Sequence, residues 1–270
     1  MVATLPNTTV PKPSFASDTR TDHQAAIGNV LSNMRADVSV PFTLDMFAEM
    51  ANYSPFHFAR MFRHLIGVPP GEFLAALRFE QAKRLILHTE MSITDICFEV
   101  GFSSLGTFSS RFKQLVGVNP ADLRNLPDPL SARLPALASC ARTAPSGKGF
   151  TIHGNVTSPT PCAGHLFIGL FSTAIPQSTP VAGTLVGGPG PFTIFDVPPG
   201  VFRLLAALFP LGDDPMVHLL PSRSLPVGAD PWPVVVSPDV DPRPLHIELR
   251  PQTLTDPPIL TAIAPKVLSI

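Results

Sequence analysis

The chain has 270 residues, with 19 Lys and Arg against 20 Asp and Glu, and it contains three cysteines. This length allows two domains, and three widely spaced cysteines (Cys97, Cys140 and Cys162) argue against a disulfide framework or a cysteine-rich zinc site. The N-terminus is polar and proline-rich, without the apolar core of a secretory signal, and no stretch is long and apolar enough to span a membrane. We therefore expect a cytoplasmic protein, in keeping with cysteines that suit a reducing compartment.

Charge is balanced along the whole chain. Up to Leu126 there are 11 basic and 11 acidic residues, and after it 8 and 9, which together give the 19 and 20 of the full sequence. Nucleic-acid binders usually carry a basic excess. High non-specific affinity for nucleic acid is therefore not expected, although local clustering can still create a basic face.

The first 20 residues are too polar to pack and are predicted to be a disordered tail. A helix is then predicted from about Thr21 to Arg35, because its apolar residues recur at helical spacing: Ile27, Val30, Leu31 and Met34. Pro41 closes the loop that follows.

Residues 91–124 contain two short helical patterns separated by a tight turn. The first pattern stops at Gly101 and comprises Ile93, Ile96, Cys97 and Val100. The second stops at Gly117 and comprises Phe108, Phe112, Leu115 and Val116. Two short helices at a fixed angle, the second with a polar outer face, predict a helix-turn-helix unit, which places a helix in the DNA major groove.

Residues 43–66 repeat this unit. Leu44 and Phe47 correspond to Ile93 and Ile96 at an offset of 49 positions, and after the turn the offset becomes 50. Where the second copy has Gly101, the first has Asn52, and these are the two residue types that most readily adopt the left-handed conformation at a helix end. Helix starts are predicted by Ser54-Pro55 and by the capping-box spacing of Ser92 to Asp95.

A longer helix is predicted between the two copies, from Gly71 to His88, with Arg78, Lys83 and Arg84 facing outward. At 1.5 Å per residue it spans roughly 27 Å, close to the ~34 Å between successive major-groove faces on one side of a duplex.

Residues of about 21–125 resemble the AraC/XylS-type DNA-binding domain. The residues that carry this resemblance all lie in the second unit: Ile93, Asp95, Ile96, Gly101, Phe102, Phe108, Phe112, Lys113, Gly117, Pro120 and Arg124. The resemblance covers about 40% of the chain. It implies seven helices, two helix-turn-helix units, double-stranded DNA as a partner and RNA polymerase as a candidate second partner. Cys97 departs from the family, which more often has alanine there, and we expect it to pack in the core rather than to sense redox state.

The resemblance places DNA contacts on the second helix of each unit. In the first unit the candidates are Phe56, His57, Ala59, Arg60, Arg63 and His64. Arg60 is the best candidate for bidentate binding of guanine, Phe56 or Ala59 for a thymine methyl, and Arg63 and His64 for phosphates.

The second unit offers mostly small, uncharged side chains: Ser104, Leu105, Gly106, Thr107, Ser109, Ser110, Arg111 and Lys113. We expect it to grip the DNA backbone with little base preference. Lys113 could instead form a local cap or ion pair.

After a predicted linker at 127–148, the pattern changes to short β-type runs bounded by glycine and proline, which predicts an antiparallel β-sandwich at 149–270. The predicted strands are 149–157, 164–171, 192–197, 201–209, 217–220, 232–236 and 245–249. Residues 189–209 resemble a hairpin of transthyretin-like or carboxypeptidase-regulatory-like sandwich domains. The fold class is thus a multidomain α and β protein, with an N-terminal all-α domain and a C-terminal sandwich.

The C-terminal half contains no motif for chemistry. Its histidines (His153, His165, His218 and His246) lack metal-ligand spacing, and no catalytic constellation, cofactor site or nucleotide-binding fingerprint is present. Its aromatic residues permit a small-molecule effector cavity between the sheets or a homodimer surface equally well.

We therefore expect a non-enzymatic, sequence-specific transcription regulator. The alternative is a protein-interaction module, built on the sandwich, with only weak auxiliary DNA binding.

Overall fold

The computed structural model describes residues 15–133, 147, 149–212, 214–239 and 243–262, with side chains from Thr21 onward. The helices are α1 (Phe15–Ala36), α2 (Leu44–Met50), α3 (Pro55–Ile66), α4 (Pro70–His88), α5 (Ile93–Glu99), α6 (Leu105–Val116), α7 (Pro120–Arg124), α8 (Pro127–Arg133) and α9 (Pro215–Leu219). Helices α1–α7 form the predicted helical domain. None of the described helices is long and apolar enough to cross a membrane.

The two repeated units have the predicted turns and caps. Asn52 and Gly101 both have left-handed backbones, with φ of 56° and 84°. Ser54 caps α3, with Pro55 at its first position, and Ser92 caps α5 by accepting a hydrogen bond from the Asp95 N–H at 3.1 Å. Each of these signals acts on a backbone group or turn a few residues away, and all of them are confirmed.

Helix α4 is enclosed by other elements. Its buried residues include Phe73, Leu74, Phe79 and Ile86, which project from several sides of the helix. Phe79 packs against the aromatic rings of the second unit, at 4.9 Å from the Phe102 ring centroid. A helix that is apolar on most sides is stable in water only when other elements cover it.

The prediction that Arg78 and Lys83 face outward is wrong, whereas Arg84 is exposed as expected. Arg78 donates to the carbonyl oxygens of Val38, Val40 and Gly101, so it joins the loop before the first unit to the turn of the second. Lys83 is fully buried, and its Nζ donates to two carbonyl oxygens about 176 residues further along the chain. The spacing of apolar residues within α4 cannot show that a segment about 176 residues further along the chain covers Lys83.

The C-terminal region is a two-sheet sandwich. Its strands are β1 (Phe150–Thr157), β2 (His165–Phe171), β3 (Ala182–Val186), β4 (Gly190–Val197), β5 (Gly200–Phe209), β6 (Val227–Ala229), β7 (Val234–Val236) and β8 (Leu245–Glu248). One sheet has the order β4-β1-β8 and the other β3-β2-β5-β6, with β7 paired to β5.

Three details differ from the predicted strands. Residues 217–219 of the predicted 217–220 strand belong to helix α9, which begins at Pro215 after the Asp214 cap and is followed by its C-cap Leu220. Strands β3 and β6 were not predicted, because they are short and lie between glycine- and proline-rich turns. The pairing is antiparallel except between β1 and β8, which run parallel.

Strand β2 is buried on both faces. Leu166, Ile168 and Leu170 face the other sheet within the sandwich core. Phe167 and Phe171 point the opposite way and join the buried cluster of the helical domain. The helical domain and the sandwich therefore share one apolar interface, formed on the sandwich side by the sheet that contains β2.

The predicted boundaries differ from the observed elements at two places. Helix α1 begins at Phe15, inside the range predicted to be a tail, and residues 1–14 lie outside the described residues. Helix α8 occupies the start of the predicted 127–148 linker, and its Leu130 is fully buried. Because Leu130 has a packing partner, this part of the segment is ordered against the core.

Burial of Lys83 predicts a pH dependence of stability. Desolvation lowers the pKa of Lys83 from 10.5 to about 8, with Glu80 acting weakly in the opposite direction. Between these two values the unfolded chain keeps a proton that the folded chain has released. The free energy of unfolding should therefore rise with pH in this window, by up to about 3 kcal/mol.

Urea unfolding at pH 7, 8, 9 and 10 measures this rise, and a Lys83→Met variant supplies the control because it cannot titrate at this position. The difference in unfolding free energy between wild type and variant should change steadily from pH 8 to 10. A constant difference across this range would show that Lys83 keeps an ordinary pKa.

Candidate nucleic-acid interface

The predicted contact residues of the first unit lie on the solvent-facing side of α3. Phe56, Arg60, Arg63 and His64 are exposed, with Phe56 at 77% the most exposed of the described large apolar residues. Ala59 is half-buried beside them. The opposite side of α3 packs into the core through Phe58, Met61, Phe62 and Ile66. The helix thus separates an apolar inner side from an outer side that is free to meet a ligand.

Two of these side chains contact each other. The guanidinium carbon of Arg60 lies 5.9 Å from the Phe56 ring centroid, within the range of a cation–π contact. Stacking on a ring restricts the rotamers of Arg60 at the N-terminal half of α3. Recognition helices touch base edges with this half.

His57 is less accessible than the others. Its ring stacks on Tyr53 at 5.0 Å and approaches His23 at 5.8 Å. Its Nε2 atom is buried without a described hydrogen-bond partner. Tyr53 and His23 were not predicted as neighbours of the interface. Tyr53 lies in the turn just before α3, so the sequence places it close to His57. His23 belongs to α1, and nothing in the sequence near His57 indicates this contact.

The second unit presents small polar residues, as predicted. Ser104, Leu105, Gly106, Thr107, Ser110, Arg111 and Lys113 are exposed, and Ser109 is half-buried. Ser104 also has a structural role, since its Oγ accepts a hydrogen bond from the Thr107 N–H at 3.3 Å and so caps α6. The Ser104 hydroxyl proton remains available to a phosphate.

The cations of α3 and α6 are not paired with carboxylates. Among the described residues the two ion pairs are Arg243–Asp230 and Arg250–Asp256, and both lie in the sandwich. The expected alternative for Lys113, a local ion pair, is therefore not seen in this part of the chain. Cations without carboxylate partners can attract phosphates even though the net charge is −1.

The described residues contain no group of three or more metal-ligating side chains. His218 lies in α9, where its ring stacks on Phe209 at 5.1 Å. Burial, assisted by His165, lowers its pKa to about 4, so it packs as a neutral ring. Burial also raises the pKa of the Cys97 thiol, in keeping with a residue of the core.

Two clefts border the sandwich. A small apolar cleft of about 70 Å³ lies against β2, β5 and β6, and residues 250–259 close it. A larger cleft of about 570 Å³ lies between His88, at the end of α4, and residues 214–226. Both lie outside the apolar core between the sheets, where Phe192 and Phe202 are buried. Trp232, in contrast, is 68% exposed.

Comparison with known proteins identifies the helical domain. Residues 47–126 match a family model described as a helix-turn-helix domain. The chain is 28% identical over 95 residues to the HTH-type transcriptional activator AarP of Providencia stuartii, which covers 35% of this chain and 70% of AarP. Residues 47–126 form an AraC-type helix-turn-helix domain. The AraC-type domain is a DNA-binding unit, as the sequence predicted.

Other relatives match the same portion. The chain is 30% identical to the transcriptional activator RhaR of Klebsiella pneumoniae, covering 43% of this chain and 42% of RhaR. It is 34% identical to the transcriptional regulator GlxA of Rhizobium meliloti, covering 38% of this chain and 32% of GlxA. An AraC-type regulator structure from Chromobacterium violaceum is 28% identical over 39% of this chain and 94% of its own, with a TM-score of 0.37. The relatives are thus regulators that this chain matches over less than half of its length.

Ser104 offers a test of where DNA meets α6. Ser104→Ala removes the cap and should lower the free energy of unfolding by about 1 kcal/mol. Ser104→Asp keeps a capping oxygen and should preserve stability, but its negative charge should weaken DNA binding by repelling phosphates. Urea unfolding and fluorescence anisotropy with labelled duplex measure the two effects. Wild-type affinity in the aspartate variant would place the start of α6 away from DNA.

Proposed function

We propose that the chain is a cytoplasmic, sequence-specific transcription regulator that inserts α3 and α6 into successive major grooves of one duplex. The observation that carries this proposal is the pair of capped helices, each with an exposed outer side, that both pack on α4, α3 on Phe73 and α6 on Phe79. The 19 residues of α4 span about 28 Å, which is close to one helical turn of DNA. This function is not enzymatic, in keeping with relatives that are named as regulators.

The two helices have different roles in this proposal. Helix α3 supplies Arg60, which can bind guanine through two hydrogen bonds, and Phe56, which can contact a thymine methyl. Arg63 and His64 supply phosphate contacts. Helix α6 has no long side chain suited to base edges at its N-terminal half, so its hydroxyl groups, Arg111 and Lys113 grip the backbone.

Further partners belong to the same proposal. RNA polymerase is the candidate partner that the family resemblance suggests. For the sandwich, a small-molecule effector and a second copy of this chain stay open as alternatives. The apolar cleft of about 70 Å³ offers room for a small apolar group.

A mobility-shift assay tests the function directly. Duplexes selected from a random pool and unselected duplexes are compared at two salt concentrations. Preference for the selected sequence at both concentrations supports a sequence-specific regulator, because phosphate contacts alone do not distinguish sequences. Equal binding of both pools at either salt concentration would favour the alternative, a protein-interaction module with auxiliary DNA binding.

Two variants separate base recognition from backbone contact. Arg60→Ala should cost about 1–3 kcal/mol on the selected duplex and relax the preference at one base pair. Lys113→Ala should weaken selected and random duplexes alike and reduce the slope of log affinity against log salt by about one. Anisotropy titrations over a salt series measure both quantities.

Arg84→Ala is the matched control for these variants. Arg84 is an exposed arginine of α4 that lies outside both proposed recognition helices. Its removal should leave base preference and salt slope unchanged. If Arg60→Ala and Lys113→Ala behave identically on selected and random DNA, the assignment of their roles is wrong.

A further inference from the structure

The C-terminal end of α6 is capped by the sandwich. The last four carbonyl groups of an α-helix have no partner within the helix. In α6 the first of these four, that of Lys113, accepts from the Gly117 N–H at 2.9 Å, as in an ordinary glycine-terminated helix. The other three carbonyl groups, those of Gln114, Leu115 and Val116, accept hydrogen bonds from the C-terminal region.

Ser178 makes two of these three bonds. Its Oγ donates to the Gln114 carbonyl at 2.8 Å, and its N–H donates to the Leu115 carbonyl at 2.6 Å. The third donor is the N–H of Ala262, at 3.1 Å from the Val116 carbonyl. Ser178 belongs to the β2–β3 loop (residues 172–181). One residue of this loop therefore satisfies half of the carbonyl groups that end α6.

The backbone of Ser178 is held in an unfavourable conformation. Its φ is 63°, a left-handed value that a residue with a Cβ rarely adopts. Such a conformation persists only where surrounding contacts stabilise it. At Ser178 the contacts that do so are the two hydrogen bonds to α6.

The same loop also contacts the end of α3. Gly67 ends α3 with a left-handed φ of 89°. A Cβ placed on Gly67 would lie 3.0 Å from the Cβ of Ala174, so the loop approaches the backbone of α3 closely. The β2–β3 loop thus touches the C-terminal ends of both helices that are proposed to enter DNA.

A second segment fixes this loop to α4. The Pro176 carbonyl accepts from the N–H groups of Leu260 and Thr261, at 2.9 and 3.1 Å. Lys83 of α4 donates to the carbonyl groups of Ile259 and Leu260, both at 3.1 Å. The loop is therefore tied to α4 through residues 259–261, as well as to the ends of α3 and α6.

From these contacts we infer that the β2–β3 loop is a positioning element, which fixes α3 relative to α6 and thereby sets the spacing of the two DNA subsites that the chain prefers. Ser178 and Ala174 are its positioning residues. The inference rests on the proposed function, in which both helices enter the same duplex.

Subsite spacing tests this inference in the full chain. The two subsites selected by wild type are placed at separations that increase by one base pair, and each is also offered alone. Wild type should prefer one separation. Ser178→Pro removes the N–H donor, and proline cannot adopt a positive φ. This variant should bind the best-spaced duplex about tenfold more weakly, as expected for the loss of one or two net hydrogen bonds, and its spacing profile should flatten.

Binding to a single subsite separates a positioning role from a merely structural one. A structural role would weaken this binding, whereas a positioning role leaves it unchanged. It should stay at the wild-type level in Ser178→Pro, because the N-terminal caps of α3 and α6, at Ser54 and Ser104, do not involve Ser178. Equal losses on single and double subsites would overturn the inference, and so would an unchanged spacing profile.

A milder variant keeps the test decisive if Ser178→Pro fails to fold. Ser178→Gly retains the positive φ and the N–H donor but loses the hydroxyl bond, and it should flatten the profile partially. Asp196→Gly is the matched control, since Asp196 also has a positive φ, of 57°, but lies at the end of β4. Asp196→Gly should leave the profile unchanged, and a flattening equal to that of Ser178→Gly would contradict the inference.

The wild-type result separates this inference from the proposed function. Wild type that prefers no sequence at any spacing would refute the proposed function, and the positioning role with it. Wild type that prefers its selected subsites but tolerates all spacings equally would overturn only the positioning role.

Discussion

The enclosure of α4 is the constraint on which the rest of the structure depends. This helix has buried side chains on most of its sides, so it needs covers from several directions. Both helix-turn-helix units cover it through ring contacts, Phe62 on Phe73 near the start of α4 and Phe112 on Phe79 in its middle. Residues 259–262 of the C-terminal region provide a further cover. A helix that first resembles a simple spacer is the shared centre of both halves.

Enclosure of α4 buries the ammonium group of Lys83, which is unfavourable, and hydrogen bonds to the C-terminal region reduce this unfavourable free energy. A buried ammonium group is unfavourable unless its hydrogen bonds are made. Two carbonyl oxygens accept hydrogen bonds from its Nζ and so satisfy part of this requirement. Its lowered pKa follows from the same burial. The 259–262 segment therefore provides the only described side-chain hydrogen bonds of Lys83, as well as an apolar cover.

The parts of the fold that the sequence predicts are those specified by near neighbours. Asn52, Gly101, Ser54 and Ser92 each act on a backbone group within three or four residues, and all were placed correctly. Periodicity likewise predicted the inner sides of α3 and α6. The exposure of most proposed contact residues follows from the same pattern, because these residues lie outside the apolar stripe.

The misplaced elements have both distant and local causes. Lys83 looks like a surface residue because its cover lies about 176 residues away. The 217–220 segment is apolar enough for a strand, yet Asp214 and Pro215 start a helix there. His57 has an outward position in α3, but Tyr53 and His23 cover its ring. The cover of Lys83 and the His23 ring are distant in sequence and only the folded chain reveals them, whereas Asp214, Pro215 and Tyr53 are local signals beside the misplaced residues.

The two proposed recognition helices differ in how firmly they are held and in what they offer to DNA. Helix α6 has three terminal carbonyl groups bound by the sandwich, whereas the contact found for the end of α3 is the approach of Ala174 to Gly67. Yet α3 carries Arg60 and Phe56, the side chains suited to base edges. A backbone-gripping helix benefits from a fixed position, because phosphates lie in the same place on every duplex. A base-recognising helix must fit one DNA sequence. When α6 is fixed on the backbone, it sets the register in which α3 meets the bases.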